Sequence, residues 1–561
     1  MAPTTRLSDA IHAQKYRGEG ENFEQSMYRI AGALKDSDEH FHSLKDILIE
    51  QRFLPAGRVQ SAVGSPRQVT AINCYVSGTI EDSMASIMLR ATQAAETMRM
   101  GGGIGYDFSN IRPRGTLIKT LESKASGPVS FMRIYDAVCQ TIASAGHRRG
   151  AQMGVLRIDH PDVEEFIHCK QNSTALTGFN ISLGVTHEFM RHLDSGAPFP
   201  LRWEGNIYKY IDPVNLWEMI MRSTWDYAEP GVLFIDTIND YNNLWYCEKI
   251  AASNPCGEQP LPPYGACLLG SFNLVKYITP SKSFDFDLLI RDIPHVVRAM
   301  DNVVDVTIYP LPEQRHEEET KRRMGLGVTG LANALETMGH SYGSPEFLRL
   351  QEKILQTIAI GSYRASMALA REKGPFPMFD APKYMMGRHL MHLASSDGEL
   401  MRDLWTHGIR NSHLTSIAPT GTISLCADNV SSGIEPVFSY SAQRTIQAFD
   451  GPITETVEDY AFREWGTRGK ISSDCTSEDH LNVLKIASRW VDSAVSKTCN
   501  VSPSMPWDAF KNIYTDAYKA GCKGVTTFNP GGKRMGILIA DDEPKVEACY
   551  YDPDTGTRSC D

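Results

Sequence analysis

The sequence predicts an α/β fold, because helix-like and strand-like patterns alternate through its middle. Apolar residues with helical spacing cover about 128–144 and 161–170, and short apolar runs typical of strands cover 155–158 and 179–185. This alternation favours a sheet with at least some parallel strands covered by helices. The sequence contains no internal repeat, low-complexity tract or clear linker, so we expect one large domain.

Three regions are predicted along the chain: a polar helical region at 1–50, the main α/β body at 51–539, and a flexible acidic tail at 540–561. The other expected elements are helices at about 83–99 and 507–520, mostly helical stretches at 186–250 and 285–375, and strands at 71–76, 413–418 and 524–530.

Composition excludes several classes of protein. The 561 residues are 42% hydrophobic and 22% charged, which is typical of a globular protein, and the net charge of −11 argues against nucleic-acid binding. The sequence lacks an apolar run of about 18 residues and a secretory signal, which predicts a cytoplasmic protein without a membrane span. Twelve cysteines at wide spacing indicate a reducing compartment and predict no zinc or other metal site.

The segment 253–260 concentrates reactive groups. Asn254, Cys256 and Glu258 alternate, so an extended backbone places an amide, a thiol and a carboxylate on one side, where they can act on one substrate. The two prolines and the glycine of this segment argue against a helix and for a fixed loop. On spacing alone, a buried turn with inert thiols is equally compatible.

Other segments have the composition of ligand-binding loops. The glycines of 101–105 permit close backbone approach, although they do not fit the dinucleotide-binding fingerprint. Residues 419–424 follow a predicted strand with three hydroxyl side chains, which suits either an anion site or an ordinary capping loop. The arginine-rich loops 111–115 and 144–152 suit phosphates or nucleobases, or they are solvated turns.

In combination, four motifs resemble ribonucleotide reductase catalytic subunits, and they occur in the same order. They are Asn254-Pro255-Cys256-Gly257-Glu258, Cys267 with Gly270-Ser271-Phe272-Asn273-Leu274, the 419–424 loop, and Ser431-Ser432-Gly433-Ile434-Glu435-Pro436. The resemblance extends from about Arg52 to Gly536. Residues 254–271 are most similar to the adenosylcobalamin-dependent class (class II).

The resemblance implies a ten-stranded α/β barrel with a central finger loop that carries Cys256 and shields it from solvent. Cys256 would form a thiyl radical that takes the ribose 3′-hydrogen, Glu258 would accept the 3′-hydroxyl proton, and Asn254 would hydrogen-bond the ribose. Cys74 and Cys267 would supply the electrons and close a disulfide, which requires the two sulfurs to lie within bonding geometry.

The resemblance also implies binding sites and partners. The residues that would bind the substrate are Gly103, Ala418, Pro419, Thr420, Gly421, Thr422 and Ser424. A nucleoside triphosphate effector would bind near Asp82, Arg112, Arg114 and Arg148. Cys549 and Cys560 would carry electrons from a thioredoxin- or glutaredoxin-like reductant. A homodimer is expected, and diphosphates and triphosphates are both compatible substrates.

Three alternatives stay open from the sequence. A class I catalytic subunit would bind no cofactor and receive its radical from a ferritin-like metal subunit through two adjacent tyrosines in the last core strand. That strand reads Thr526-Thr527-Phe528, whereas Tyr550-Tyr551 lies in the predicted tail. The others are a non-catalytic nucleotide-binding homologue and an enzyme that uses Cys256 as a nucleophile, which requires a nearby base.

Overall fold

The structure, a computed structural model, describes residues 3–118, 122–144, 148–149, 151–171, 175–448, 451–533, 549–551 and 558–560. Among these residues the α-helices are α1 (Arg6–Tyr16), α2 (Phe23–Leu34), α3 (Asp38–Ile49), α4 (Gly57–Ala62), α5 (Met84–Arg99), α6 (Pro128–Thr141), α7 (Val163–His168), α8 (His187–Ser195), α9 (Pro213–Tyr227), α10 (Ile235–Asp240), α11 (Phe286–Val306), α12 (Pro312–Lys321), α13 (Leu331–Thr337), α14 (Pro345–Lys373), α15 (Ala381–Tyr384), α16 (Arg388–Ser396), α17 (Leu400–His407), α18 (Gly421–Cys426), α19 (Tyr460–Trp465), α20 (Ser477–Arg489) and α21 (Trp507–Lys519).

The strands of the same residues are β1 (Phe53–Pro55), β2 (Cys74–Val76), β3 (Gly103–Asp107), β4 (Leu117–Ile118), β5 (Ser123–Lys124), β6 (Ala143–Ser144), β7 (Arg148–Arg149), β8 (Gln152–Arg157), β9 (Phe179–Val185), β10 (Phe199–Trp203), β11 (Asn206–Ile211), β12 (Gly231–Phe234), β13 (Ala252–Ser253), β14 (Pro260–Leu261), β15 (Ala266–Cys267), β16 (Leu269–Asn273), β17 (Gly325–Thr329), β18 (Ser441–Ala448), β19 (Gly451–Glu458), β20 (Thr498–Asn500), β21 (Gly524–Phe528), β22 (Cys549–Tyr551) and β23 (Arg558–Cys560). None of the described helices combines the length and the apolar character needed to cross a bilayer.

The largest sheet has eight strands in the order β15-β2-β3-β8-β9-β12-β21-β20. Its five strands from β2 to β12 run parallel, while β15 and β21 pair antiparallel to their neighbours β2 and β12. Helices α5, α6, α7 and α9 bury their apolar faces in one cluster with strands β3, β8, β9 and β12. The α/β class predicted from the alternating patterns is therefore confirmed.

A second sheet has three strands in the order β1-β16-β17. β15 and β16 are consecutive parts of one chain segment, which connects the two sheets on one side. On the other side, Leu326 of β17 bridges Thr415, and Ile417 bridges Val495, three residues before β20. A closed barrel is not found among the described strands, and the ten-stranded barrel stays a prediction.

The predicted N-terminal helical region consists of α1, α2 and α3, each capped by a polar side chain, Thr5, Asn22 or Ser37. Apolar residues of all three helices share one hydrophobic cluster with α11 and the three-stranded sheet. The N-terminal helices are therefore packed onto the main body. The proposed boundaries at residues 50 and 539 stay predictions.

The sequence patterns were wrong at four places. The predicted helix 128–144 ends at Thr141, the predicted helical stretch 186–250 contains the β10–β11 hairpin and strand β12, and the stretch 285–375 contains β17. All five residues of β17 are buried, and a Cβ at Gly327 would overlap the Ser416 carbonyl oxygen. Close tertiary packing, which no local pattern reports, decides this strand. The predicted strand 413–418 makes isolated bridges only.

Candidate active site

The segment around Cys256 forms a hairpin finger, as the prolines and glycine predicted. β13 and β14 pair at its base, with Ala252 opposite Leu261. At the tip, the Gly257 N–H donates to the Asn254 carbonyl (3.1 Å), and the Gln259 N–H donates to Asn254 Oδ1 (2.9 Å). Gly257 has φ +81°, which favours glycine. These contacts fix the tip in one turn.

The finger is fixed on two opposite sides. On one side, Asn180 of β9 donates Nδ2–H to the Pro255 carbonyl at 2.9 Å, and a Cβ at Gly105 of β3 would overlap the Ser253 carbonyl. On the other side, the Glu258 carbonyl accepts from Ser416 Oγ at 2.8 Å and from the Ala494 N–H at 2.9 Å. The finger therefore lies between the parallel strands on one side and the segments that contain Ser416 and Ala494 on the other.

Cys74 and Cys267 face each other across the antiparallel pair β2–β15, where they are directly opposite partners. Such partners have Cα atoms about 4.5–5.5 Å apart, within the range that a disulfide spans. Both are thiols, Cys267 is buried and Cys74 is half-buried. Burial, together with a hydrogen bond to Cys74, raises the pKa of the Cys267 thiol well above its usual value. The structure thus brings together the two cysteines that the resemblance pairs.

Asn254 connects the finger to the thiol pair. Its side chain is fully buried, and Nδ2 lies 3.9 Å from Cys267 Sγ. From β3, Gly103 lies beside the same contact, because a Cβ there would be 3.2 Å from Cys74 Sγ and 3.3 Å from Pro255 Cγ. Glycine at 103 allows the finger and the thiol pair to approach each other.

Glu258 has the properties of a proton acceptor that titrates near neutral pH. Its side chain is 2% exposed, and Oε2 has no hydrogen-bond partner among the described residues. Burial raises the pKa of Glu258 from its usual 4.5 to about 7, although hydrogen bonds from its own backbone N–H and from Asn254 oppose this shift. A carboxyl group with this pKa can exchange a proton with a bound substrate at physiological pH.

The expectation that Cys256 is shielded from solvent is wrong for this structure. Cys256 is exposed at the finger tip, whereas Asn254, Pro255 and Glu258 on either side of it are buried. A ligand that binds at the tip therefore has direct access to Sγ.

The predicted anion loop lies at the start of helix α18. Thr420 has φ +53°, and its Oγ1 hydrogen-bonds Thr329 Oγ1 at 2.9 Å and accepts the Gly433 N–H at 2.8 Å. Ser424 Oγ pairs with Ser432 Oγ at 3.0 Å. These contacts join the 419–424 and 431–436 motifs, which are separate in sequence.

The open side of this loop lies at Gly421 and Thr422. A Cβ at Gly421 would meet nothing within 4 Å, and Thr422 is half-buried, as is Pro419. Ala418 packs against the same apolar cluster as Cys74, which places the loop on the side of the thiol pair.

The predicted effector residues pair with other protein groups. Asp82 accepts from the backbone N–H of Arg112 at 3.0 Å and from its guanidinium at 2.5 Å. Arg114 forms an ion pair with Glu165 at 2.8 Å. The backbone of Arg148 lies in β7, opposite Ser144 of β6. A nucleotide that binds at this position would therefore have to replace contacts within the Asp82–Arg112 and Arg114–Glu165 ion pairs.

In the tail, β22 and β23 form a short antiparallel hairpin in which Cys549 is the backbone partner of Cys560. The predicted Tyr550-Tyr551 pair belongs to the same hairpin. Tail residues 540–548, 552–557 and 561 lie outside the described residues.

Sequence reasoning missed Asn180, Ser416 and Ala494, which hold the finger by its carbonyl groups. A single asparagine in a strand or a serine in an apolar run carries no local signal of such a contact. Two facing thiols, beside a finger that carries a third thiol and a carboxyl with a pKa of about 7, have the composition expected of a dithiol oxidoreductase site.

Comparison with known proteins specifies this class. Residues 72–464 and 459–528 match the family model described as "Ribonucleotide reductase, barrel domain". The chain is 34% identical over 549 residues to the vitamin B12-dependent ribonucleoside-diphosphate reductase of Mycobacterium tuberculosis, with 92% of this chain and 76% of that protein covered. A protein of the same name from Thermoplasma acidophilum is 32% identical, with 92% and 69% covered. The chain belongs to the ribonucleotide reductase family.

A ribonucleoside-diphosphate reductase subunit alpha from Chlamydia pneumoniae is also similar, at 26% identity over 424 residues, with 66% of this chain and 40% of that protein covered. The matches to the vitamin B12-dependent proteins of Mycobacterium tuberculosis and Thermoplasma acidophilum are higher in identity and cover more of both chains. The comparison therefore favours the cobalamin-dependent class over the class I alternative.

Proposed function

We propose that this protein converts ribonucleotides to 2′-deoxyribonucleotides with adenosylcobalamin as its cofactor. The observation that carries the proposal is the facing pair Cys74–Cys267, which lies against the finger with Asn254, Cys256 and Glu258. This arrangement supplies a reducing dithiol, a separate thiol and a proton acceptor for one bound sugar.

The exposed finger tip leaves Cys256 accessible to a cofactor and a substrate. Cys256 is exposed, and a Cβ at Gly257 would meet nothing within 4 Å, so the tip leaves room for a group to approach Sγ. Adenosylcobalamin, when bound, supplies the one-electron oxidation that converts a thiol to a thiyl radical. The residues that would contact it are those of the tip, and the bound cofactor and substrate would then exclude water from Cys256.

The chain's own groups then perform the chemistry on the sugar. The Cys256 thiyl takes the hydrogen atom from C3′, Glu258 accepts the 3′-hydroxyl proton, and Asn254 orients the ribose through its amide. Loss of the 2′-hydroxyl as water requires one proton, which a thiol of the Cys74–Cys267 pair supplies. The second thiol of the pair supplies the new hydrogen on C2′, and the pair, having given two electrons, becomes a disulfide. The 3′-hydrogen then returns from Cys256 to C3′, and the proton held by Glu258 returns to the 3′-oxygen. The products balance as deoxyribonucleotide, water and one disulfide.

The test of this proposal is an activity assay with adenosylcobalamin and a small dithiol as the only additions besides the ribonucleotide. We expect deoxyribonucleotide to form without a second protein, since the chain contains the radical thiol, the proton acceptor and the reductant. Activity that ignores cobalamin and requires a metal-bearing subunit would instead place the protein in class I.

The raised pKa of Glu258 predicts the pH dependence of turnover. The carboxyl must be ionised to accept a proton, so kcat/KM should fall about tenfold per pH unit below about 7. Glu258→Asp should keep an acidic limb but shift its midpoint, and Glu258→Gln should remove turnover. A wild-type profile flat between pH 5.5 and 8 would contradict a general-base role.

The same burial predicts an opposite effect on stability. Folding raises the pKa from 4.5 to about 7, so the protonated form is favoured, and the stability from this group is lost as pH rises through that window. Glu258→Gln should therefore raise the free energy of unfolding at pH 8 by about 1–3 kcal/mol. Thermal melts at pH 5 and pH 8 measure the difference, which should be small at pH 5.

For the fold we propose a closed barrel of ten strands around the finger. The support is a chain of contacts that returns to its start. Seven strands are paired in the order β2-β3-β8-β9-β12-β21-β20. The Val495–Ile417 and Thr415–Leu326 bridges continue from there to β17, and β17 leads through β16 and β15 back to β2. Counting the 413–418 segment as one strand and β15–β16 as another gives the ten strands that the resemblance implies.

Substrate phosphates would bind at the start of α18, through the N–H groups and hydroxyls of Thr420, Gly421, Thr422 and Ser424.

An effector nucleotide would bind at the Asp82–Arg112 pair and near Arg114 and Arg148. A homodimer would form through the neighbouring helix α5, where Met84, Met88 and Leu89 expose apolar surface within six residues of one helix.

The tail would return electrons to the thiol pair. The support for this role is that Cys549 and Cys560 are backbone partners in the β22–β23 hairpin. Exchange with a buried disulfide requires a pair of neighbouring cysteines. A thioredoxin- or glutaredoxin-like protein would reduce this tail pair. A reducing cytoplasm suits this cycle, because all ten cysteines whose side chains are described are thiols.

A further inference from the structure

Helix α18, which follows the proposed phosphate loop, is held at its far end by the beginning of the chain. The helix ends at Cys426, and the next turn contains Asp428 and Asn429, both with φ +62°. Two consecutive residues other than glycine in the left-handed region are uncommon, and each costs about 1 kcal/mol or more unless its surroundings hold it.

Asp428 is held by the segment before α1. Its side chain is 1% exposed, and its carboxylate accepts from the Thr4 N–H at 2.9 and 3.0 Å, from Thr4 Oγ1 at 2.9 Å and from the Thr5 N–H at 3.0 Å. Thr5 is also the N-cap of α1, so the carboxylate is attached to the first turn of that helix. Hydrogen bonds to a buried charged group are among the stronger ones in proteins.

Helix α1 is itself attached to the three-stranded sheet. His12 Nε2 pairs with Gln60 Oε1 at 3.0 Å, and Gln60 Nε2 donates to the Pro55 carbonyl at the end of β1 at 2.6 Å. Ile423 and Cys426 of α18 line a small cavity together with His12 and other residues of the N-terminal helices. Helix α18 therefore packs against the N-terminal helices, and these helices are attached to the three-stranded sheet through the His12–Gln60–Pro55 contacts.

From these contacts we propose that Asp428 is a positioning residue for substrate phosphates, and that the N-terminal helical region serves as the support of α18. The carboxylate fixes the turn that follows a six-residue helix, and the first turn of this helix would bind the phosphates. Because the helix is short, a shift at Asp428 moves Gly421 and Thr422 as well. This inference rests on the proposed function, since it requires the substrate's phosphates to bind at α18.

The neighbouring Asn429 provides a matched control. It has the same left-handed φ, but its side chain donates to the Glu458 carbonyl at 2.9 Å, and no hydrogen bond joins that side chain to the described part of the N-terminal segment. Glycine adopts this φ without strain, so Asp428→Gly and Asn429→Gly both remove a side chain and leave the backbone geometry available. Only the first removes the acceptor of the Thr4 and Thr5 hydrogen bonds.

The experiment compares binding of a ribonucleoside diphosphate with binding of the matching ribonucleoside, which lacks phosphates. Asp428→Gly should raise the Kd of the diphosphate about tenfold, leave the Ki of the nucleoside within about twofold, and leave kcat at saturating substrate within about twofold. Asp428→Asn, which keeps the left-handed turn and one acceptor oxygen, should give a smaller loss, about threefold. Asn429→Gly should bind both ligands as the wild type does.

Three results would overturn the proposal: unchanged diphosphate binding in both Asp428 variants, an equal loss in Asn429→Gly, or an equal loss for the nucleoside. If Asp428→Gly does not fold, Asp428→Asn decides the question on the same criteria. Thr422→Val separates failure of the Asp428 role from failure of the phosphate site on which that role depends. If Thr422→Val also leaves diphosphate binding unchanged, α18 does not bind the phosphates, and the proposed phosphate site fails together with the role of Asp428. A loss in Thr422→Val alone contradicts only the role of Asp428.

Discussion

Replacement of Cys256 by serine is expected to abolish deoxyribonucleotide formation, with a loss in kcat of at least about four orders of magnitude. A serine O–H bond is much stronger than a thiol S–H bond, so the one-electron step at the finger tip cannot proceed at position 256. The rest of the finger should persist, because Asn254, Gly257 and Gln259 form its turn through contacts that do not use Sγ. Steady-state assays and equilibrium nucleotide binding measure the two effects separately.

The control for this variant is Cys247→Ser. Cys247 is the other cysteine that is exposed among those whose side chains are described, and it lies before the finger rather than at its tip. Cys247→Ser should retain wild-type turnover, and Cys256→Ser should retain the wild-type Kd for ribonucleotide within about twofold. Residual deoxyribonucleotide formation by Cys256→Ser above a few per cent of wild type would exclude Cys256 as the radical thiol.

The second large effect is expected at the reducing pair. Cys74→Ser and Cys267→Ser should each lose repeated turnover by about three orders of magnitude or more, because a single thiol cannot supply two electrons and close a disulfide. Cys256 and Glu258 remain in place in both variants. Exchange of the 3′-hydrogen of the substrate should therefore continue while formation of deoxyribonucleotide stops.

Exchange of the 3′-hydrogen is measured as isotope release from substrate labelled at C3′. Formation of deoxyribonucleotide is measured by product analysis of the same samples. Cys499→Ser is a suitable control for buried substitution, since Cys499 is also fully buried but belongs to β20. A hydroxyl in place of a buried thiol costs about 1–3 kcal/mol of stability, so each variant also requires a thermal melt. Full turnover by Cys74→Ser would show that another group reduces the sugar.

The finger shows how far the sequence determines a site. The prolines and Gly257 predicted a fixed loop, and period-two alternation grouped Asn254 with Glu258. The hydrogen bond that Asn254 donates to Glu258, which limits the rise in that pKa, agrees with this grouping. Exposure of Cys256 was predicted wrongly, because solvent access depends on what packs over the tip and not on the tip's own residues.

The thiol pair shows what local patterns leave out. Cys74 and Cys267 are far apart in sequence, and nothing in the short runs around them indicates a partner, so their pairing came from the resemblance alone. The antiparallel register of β2 and β15 provides the missing information. The same is true of Ser416, whose contact with the Glu258 carbonyl depends on the approach of two segments about 160 residues apart, as long-range β contacts generally do.

Elements with strong periodicity and clear caps were predicted well. α5 was expected at about 83–99 and extends from Met84 to Arg99, with Ser83 as its N-cap. β17 was missed because its two glycines indicate a break in a helical region rather than a strand. Since all five of its residues are buried, its sequence also lacks the alternation of apolar and polar residues that indicates a strand. Its contacts with β16 and with residue 415, rather than its own propensities, hold it in the sheet.

The most direct test of the central claim is a single-turnover reaction without external reductant. The prereduced protein is mixed with adenosylcobalamin and a ribonucleotide, and the product and the disulfides are quantified in the same quenched sample by peptide mass spectrometry. If radical chemistry at Cys256 draws its electrons from the facing thiols, each deoxyribonucleotide appears together with one Cys74–Cys267 disulfide, and Cys549→Ser leaves this first equivalent unchanged. Deoxyribonucleotide formed while Cys74 and Cys267 both remain alkylatable thiols would contradict the account.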